Sequence, residues 1–470
     1  MIPSAPIISY EVVAMDLLTP NRFDLLAKYI YANSLVLGVQ SAWQKQLYIN
    51  HIKTFNGLVE ADGSGKHGEN GFISSFDSII ASIGAVGFQT EFGVIPLCID
   101  GTLLDGAHRT TVCIVLDRPV TCVRLNKNPC AYNYSWFRNK GLDEDSLDAM
   151  AFALCSLKKK TFVVVVFPAA QGRNAELVEL IEKHSLIWYR KDIRIDGDGA
   201  VNLIRQVYRN EPWIGNHTND FNGARNKAER CFQGPDNVRT FIVEANLEDI
   251  LTLKIAIRSM YKVGNHSVHI NDTQEETCEL AKIFFNKNTV HFLNNSLPSG
   301  RKWFQKLFYY YKCWVFDNSA HRNALCIDGS SVLAVYGLRE ARDIDFLHSE
   351  DVPETGFKEI SSHNHEANYY AFSIAEMISN PKMHFFVDGL KFLSLSIVRN
   401  MKIARAEEKD FEDIVLIDQV LENCNRDRLK KRQFGFLVKF MTLRNLRREV
   451  KFLALKARFA FYVLKNKIFQ

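Results

Sequence analysis

Ile327-Asp328-Gly329-Ser330, followed across a short apolar stretch by Arg342-Asp343-Ile344-Asp345-Phe346, is the segment on which the fold turns. Cys326-Ile327 reads as a short strand running into Gly329-Ser330. A helix over Val332–Tyr336 follows the turn, Gly337 breaks it, and Arg342–Phe346 reads as a second strand. Alternate residues of a strand share a face, so Asp343 and Asp345 point the same way. Two carboxylates so placed suit one or two Mg²⁺ (or Mn²⁺) ions. A Gly-Ser turn opening a helix offers backbone N–H groups and a hydroxyl to a triphosphate.

The order hydrophobic-x-Gly-Ser, then Asp-hydrophobic-Asp-hydrophobic, resembles the DNA polymerase β-like nucleotidyltransferase superfamily. The resemblance implies a nucleotidyltransferase-like domain over residues 301–420. It implies Asp343 and Asp345 as catalytic and metal-binding carboxylates, Gly329 and Ser330 as the phosphate cradle, and an NTP (ATP or CTP) as donor. Downstream, Phe385-Phe386-Val387-Asp388-Gly389-Leu390-Lys391-Phe392 reads as strand-turn-helix. Met401-Lys402, Arg405 and Glu408-Lys409-Asp410 come next, as in minimal members of the superfamily. Such families often carry a third carboxylate on the later strand. Asp388 is the acidic residue there and is assigned to the metal, although Asp-Gly is also a turn signal. Lys402 and Lys409 are assigned to phosphate.

Nearer the N-terminus, Leu104-Asp105-Gly106-Ala107-His108-Arg109 follows a strand over Gly93–Ile99 and a short one over Thr102–Leu104. A glycine lets the backbone approach a phosphate, Arg109 can hold an anion bidentately, and His108 can donate a hydrogen bond or a proton. The turn resembles the ParB/sulfiredoxin superfamily, which implies that Gly106 and Arg109 bind nucleotide phosphate. Ala107 stands where sulfiredoxins have cysteine, so their reaction is not expected here. In the loop Glu60-Ala61-Asp62-Gly63-Ser64-Gly65-Lys66, Lys66 is assigned to phosphate and Glu60 to a general base. The domain is expected over 1–130, with a helix over Asn21–Tyr31 and a strand over Val120–Leu125.

Residues 131–300 read as an α/β domain of unassigned role. Phe162-Val163-Val164-Val165-Val166-Phe167 is what a strand buried on both faces needs. Strands over Leu186–Tyr189, Phe241–Val243 and His266–Ile270 alternate with helices over Ala175–His184, Leu247–Tyr261 and Thr273–Asn286. That alternation predicts a parallel or mixed sheet. Ligands gather at strand carboxyl ends in such sheets, so His269, Asn271 and Asp272 form a candidate substrate site. Asp272 also suits a helix cap, with Glu275 completing a capping box.

The composition, 47% hydrophobic and 24% charged over 470 residues, is that of a folded multidomain α/β (α+β) chain. No eighteen-residue apolar run and no signal peptide are found, and the ten cysteines lack zinc spacing, which predicts a cytoplasmic protein with reduced thiols. The charge is lopsided. From Arg426 onward there are fourteen Lys/Arg and two acidic residues, +12, so a net of +5 leaves −7 for the remainder. The expected tail, 421–470, places Phe436, Phe440, Leu443 and Leu446 opposite Arg444, Arg447 and Lys451 on one helix. Such a helix suits an anionic membrane surface, here the inner face of the cytoplasmic membrane. Nucleic acid is not an expected partner of so acidic a body.

Taken together, the two resemblances imply a phosphoryl- or nucleotidyl-transfer enzyme of bacterial surface-polysaccharide biosynthesis. It would have a kinase-like N-terminal site and a Mg²⁺-dependent C-terminal site. Its partners would be a nucleotide, a small sugar or polyol phosphate and a lipid-linked glycan acceptor. Two alternatives stay open: a ParB-like nucleotide-dependent DNA-binding protein, and a nucleotidyltransferase-fold toxin or tRNA modifier.

Overall fold

The computed structural model describes residues 8–39, 41–60, 63, 65–297 and 301–423; the expected basic tail lies outside them from residue 424. Among the described residues it is a mixed α/β protein with three small sheets. A first compact unit holds the chain up to Ala367 together with Phe372–Ser394, and a second holds Asn368–Ala371 and the chain from Leu395. No helix among the described residues is long and apolar enough to cross a membrane. The nine described cysteines are all free thiols.

In the first unit, β1 (Ser9–Val13), β2 (Ile95–Leu97) and β3 (Pro119–Arg124) form a sheet in the order β1-β3-β2. Pairing is antiparallel between β1 and β3 and parallel between β2 and β3. The expected strand over Thr102–Leu104 is only a bridge between Leu103 and Leu97. The reason is local. The Asp100 carboxylate accepts from the Thr102 amide and hydroxyl, each at 2.9 Å, and so holds a turn where a ladder would run.

The second sheet, β4 (Thr161–Val166), β5 (Leu186–Ile193), β6 (Val238–Glu244) and β7 (Val268–Ile270), runs in the order β5-β6-β4-β7. All six residues of β4 are buried, as its valine run requires. The sheet is antiparallel at every pairing, which corrects the expected parallel or mixed arrangement. Each helical crossover, β4 to β5 and β6 to β7, skips one position, and the skipped position is filled by an antiparallel strand. Two interleaved β-α-β units of this kind form the ferredoxin-like topology. The crossover helices Asn174–His184 and Leu247–Tyr261 cover one face, packing Leu177, Ile181, Ile250, Leu253 and Ile257 on Phe162, Val164 and Phe241. Each fully buried aliphatic side chain contributes about 1.5–3 kcal/mol of transfer free energy.

The third sheet comprises β8 (Leu325–Asp328), β9 (Ile344–His348), β10 (Ile360–Ser362), β11 (His384–Val387) and β12 (Leu390–Leu393), in the order β10-β9-β8-β12-β11. Here Asp388-Gly389, both at positive φ (50° and 76°), forms a hairpin turn between β11 and β12. The stretch expected as strand-turn-helix is therefore strand-turn-strand, with the helix starting at Leu395.

Among its described residues, the second unit has two helices, Leu395–Arg405 and Glu408–Asn423. They are joined by ion pairs: Arg399 to Asp418, and Lys402 to Asp410 (2.9 Å) and Asp413 (2.8 Å).

Candidate functional site

The site grows from the carboxyl end of β8. Asp328 ends the strand, and Gly329 turns the chain into the helical segment Ser330–Val335 with φ 61° and ψ −135°. L side chains avoid that conformation. A Cβ on Gly329 would also lie 3.0 Å from Asp345 Oδ2. The glycine therefore brings bare backbone against the carboxylate. Asp343, just before β9, and Asp345, within it, flank the fully buried Ile344. The Ser330 hydroxyl donates to Asp343 Oδ1 at 3.3 Å, and the Ser331 hydroxyl donates to the Asp343 carbonyl at 3.0 Å. The structure thus brings Gly329, Ser330, Asp343 and Asp345 together.

Asp328 and His363 also belong here, although neither stands out in the sequence. Asp328 lies directly opposite Asp345 in the β8–β9 register. Like charges so placed repel. His363, just past β10, answers this: its Nδ1–H donates to Asp328 Oδ2 at 2.8 Å, with both side chains buried. Burial alone would lower the His363 imidazole. The hydrogen bond and charge of Asp328, with Asp345 and Glu366, outweigh burial and raise it above its ordinary value. Asp328 also accepts from the Gly329 amide. For Asp328 the available signal is its position at a strand end beside Gly329-Ser330. His363 has none, because its contact with Asp328 spans thirty-five residues.

The donor set at Asp343 and Asp345 is chemically that of a hard dication. Two carboxylates flanking Ile344, one of them exposed, beside a turn that excludes any side chain, fit Mg²⁺ or Mn²⁺. Asp388 does not join them. β12 runs parallel to β8 with Phe392 beside Ile327, so the turn preceding β12 lies at the opposite end of the sheet from Asp328. Asp388 instead binds Lys312 at 2.7 Å and the Gln206 side chain at 3.2 Å. Burial would raise its carboxyl, but the Lys312, Arg209 and Arg205 charges hold it below the usual range. Its assignment to the metal is corrected accordingly. Lys402 is likewise no phosphate ligand: it is buried and consumed by Asp410 and Asp413. Lys409 is exposed and pairs with Glu407 at 2.9 Å.

In the N-terminal sheet region, Gly106 takes φ 81° at the start of the helix Ala107–Val115. A Cβ there would meet Ile95 Cδ1 at 2.5 Å. The Arg109 guanidinium donates to the carbonyls of Phe92 (3.0 Å) and Gly93 (2.6 Å). His108 contacts the Tyr48 hydroxyl through Nε2 at 2.9 Å and packs edge-on against Phe76. Burial first, then the charges of Lys28 and Lys66, holds its imidazole well below 6.5 and so neutral. Lys66 and Glu60 lie 3.5 Å apart. These residues do gather, but the contacts of Arg109 and His108 serve the fold.

The middle-region candidates resolve into scaffolding. Asn271 is fully buried; its Oδ1 accepts from the Val163 amide and its Nδ2 donates to the Thr273 carbonyl and the Thr277 hydroxyl. His269 pairs with Glu276 at 3.2 Å and Asp272 with Lys254 at 3.3 Å. The helix cap is Thr273, whose hydroxyl accepts from the Glu276 amide, one residue beyond the expected Asp272–Glu275 box. A substrate site at His269, Asn271 and Asp272 is corrected on these grounds, since their polar groups are already engaged.

No protein-family model, no curated protein and no solved structure matches this chain.

Proposed function

We propose that the chain is a divalent-metal-dependent phosphoryl or nucleotidyl transferase whose reacting centre lies at Gly329, Ser330, Asp343 and Asp345. One observation carries this reading: a glycine at positive φ sets bare backbone against Asp345 in β9, two residues beyond Asp343, which the Ser330 hydroxyl contacts. Asp343 and Asp345 would hold Mg²⁺ or Mn²⁺, which would supply charge neutralisation at the phosphates of an NTP (ATP or CTP). The chain's own residues do the rest. Ser330 and the backbone of the turn bind phosphate oxygens, while Asp328, locked by His363, holds the turn in register.

The acceptor class we favour is a small sugar or polyol phosphate of bacterial surface-polysaccharide assembly, with a lipid-linked glycan as the onward acceptor. The cationic stretch from Arg426 supports work at an anionic membrane surface. The kinase-like N-terminal half of the expectation has less support, because the Arg109 guanidinium already donates to two carbonyls.

The test is nucleotide binding by the purified protein. ATP or CTP at a hundredfold excess over Kd should stabilise it by about 2.7 kcal/mol in the presence of Mg²⁺. Asp343→Ala with Asp345→Ala should abolish that stabilisation while leaving the unliganded melting midpoint close to wild type. Mg²⁺-independent binding, or binding that survives the double variant, sinks the proposal.

A further inference from the structure

Past β10 the chain presents a second donor set, of which the transferase reading uses only His363, through its Nδ1 contact with Asp328. His363, His365 and Glu366 each bring one possible ligand atom to within 4.8 Å of the others. The two imidazole rings lie 5.3 Å apart at 84°, and His365 Nε2 is 3.7 Å from Glu366 Oε1. We propose that His363, His365 and Glu366 form a binding site for a borderline-soft dication, Zn²⁺ first among them, beside the Asp343/Asp345 carboxylates.

Three lines of geometry support this. The first is the donor chemistry. Two imidazoles and one carboxylate are a zinc-type set, whereas Mg²⁺ prefers an all-oxygen shell and keeps its waters. The second is the support behind the ligands. Metal-binding histidines characteristically donate their other ring N–H to a carboxylate, which fixes tautomer and ring orientation. His363 does this through Nδ1 to the buried Asp328, leaving Nε2 as its ligating nitrogen. The third is the anchoring of the backbone. The His363 amide donates to the Phe346 carbonyl at 2.8 Å. The neighbouring Asn364 side chain clasps His348, accepting from its amide at 3.1 Å and donating to its carbonyl at 2.9 Å. The Glu366 amide donates to the His363 carbonyl at 3.0 Å. The segment is therefore pinned to β9 at successive residues.

The residues also grade outward from core to solvent. Asp328 is fully buried, His363 nearly so, the Glu366 side chain is 19% exposed and that of His365 71% exposed. Zinc bonds of about 2.0–2.2 Å place tetrahedral ligand atoms roughly 3.4 Å apart, so the three atoms must close by on the order of 1 Å. The exposed His365 side chain can make that movement without disturbing the core. Three protein ligands leave a fourth position for water or a substrate oxygen, the pattern of reactive rather than purely structural zinc. This inference stands apart from nucleotidyl transfer and needs no nucleotide.

The experiment uses the tag-free full chain, stripped with chelator and titrated with Zn²⁺ by calorimetry and with Co²⁺ by visible absorption. Wild type should bind one Zn²⁺ per chain, and Co²⁺ should show intense ligand-field bands of a low-coordinate nitrogen/oxygen site. The surface variant His365→Ala with Glu366→Gln should lose that equivalent with unchanged circular dichroism, which also subtracts adventitious binding by the free thiols. Asp328→Asn, which leaves the ligands but weakens their support, should lower affinity 10–100-fold. Asp343→Ala with Asp345→Ala should keep the Zn²⁺ equivalent, so failure here and failure of the transferase reading are separable. Absence of stoichiometric Zn²⁺ binding by wild type, or the same stoichiometry and affinity in the His365/Glu366 variant, overturns the proposal.

Discussion

Gly329 tolerates no side chain. Its φ of 61° with ψ −135° is closed to L residues, and the first atom of any side chain would press on Asp345 Oδ2. Gly329→Ala should cost about 1–3 kcal/mol of stability, read from the denaturant midpoint. It should also displace Asp345, so Mg²⁺-dependent nucleotide binding should fall further than the stability loss explains. Wild-type binding in a destabilised Gly329→Ala protein would detach the turn from the chemistry. His51 makes a different argument at the same scale. It is fully buried between Phe55 and Phe137, and neither ring nitrogen has a hydrogen-bond partner among the described residues. Burial, then the Lys28 charge, holds it well below 6.5; burial, then Lys391, takes His384 down to about 3. Both stay neutral in the fold and protonate on unfolding below pH 6.5. Their contribution is therefore complete above that pH and is lost as pH falls, at about 1.4 kcal/mol per pH unit for each group. The unfolding free energy should drop steeply from pH 6.5 toward pH 4, and His51→Leu should flatten the slope. A pH-independent stability over that range would contradict the buried, neutral assignment.

Elements show where sequence patterning carries information and where it stops. The valine run predicts β4, and the apolar spacing predicts the helix Leu247–Tyr261 at its observed ends. That helix buries Ile250, Leu253 and Ile257 and exposes Leu251. Leu253→Ala should destabilise by about 2–5 kcal/mol, while Leu251→Ala should stay within about 0.5 kcal/mol, both by chemical denaturation. Comparable losses at the two positions would mean the helix packs on a different face. Strand direction is not legible in the same way. Periodicity states that a strand is buried, not which strand lies beside it, and β6 inserts between β4 and β5 from far along the chain. The Asp388-Gly389 hairpin escapes the pattern for a related reason. A positive-φ pair closes a turn, but whether Leu390–Leu393 then becomes strand or helix is decided by its pairing with β8, far away in sequence. At the site, Asp343 and Asp345 are legible because their relation is local, two carboxylates either side of one residue at the start of β9. Asp328–His363 is not, because it depends on β10 lying parallel to β9.

At the scale of the whole molecule the dominant feature is charge separation along the chain. Residues 426–470 carry +12 and all the rest −7. A cationic segment on an otherwise acidic protein confines attraction for polyanions to that segment, with each Lys or Arg near an anionic bilayer contributing about 1 kcal/mol before screening. Salt must weaken such binding, since the Debye length contracts to about 8 Å at physiological ionic strength. Full-length protein should therefore sediment with vesicles rich in phosphatidylserine or phosphatidylglycerol and release as salt is raised. Deleting residues 424–470 reverses the net charge from +5 to −7 and should abolish sedimentation. The same deletion spares Gly329, Ser330, Asp343 and Asp345, so nucleotide binding in solution should persist. Vesicle binding that survives deletion would move the membrane contact onto the acidic body, where the charge argues against it. Loss of nucleotide binding on deletion would instead tie the cationic segment to the phosphates of the substrate.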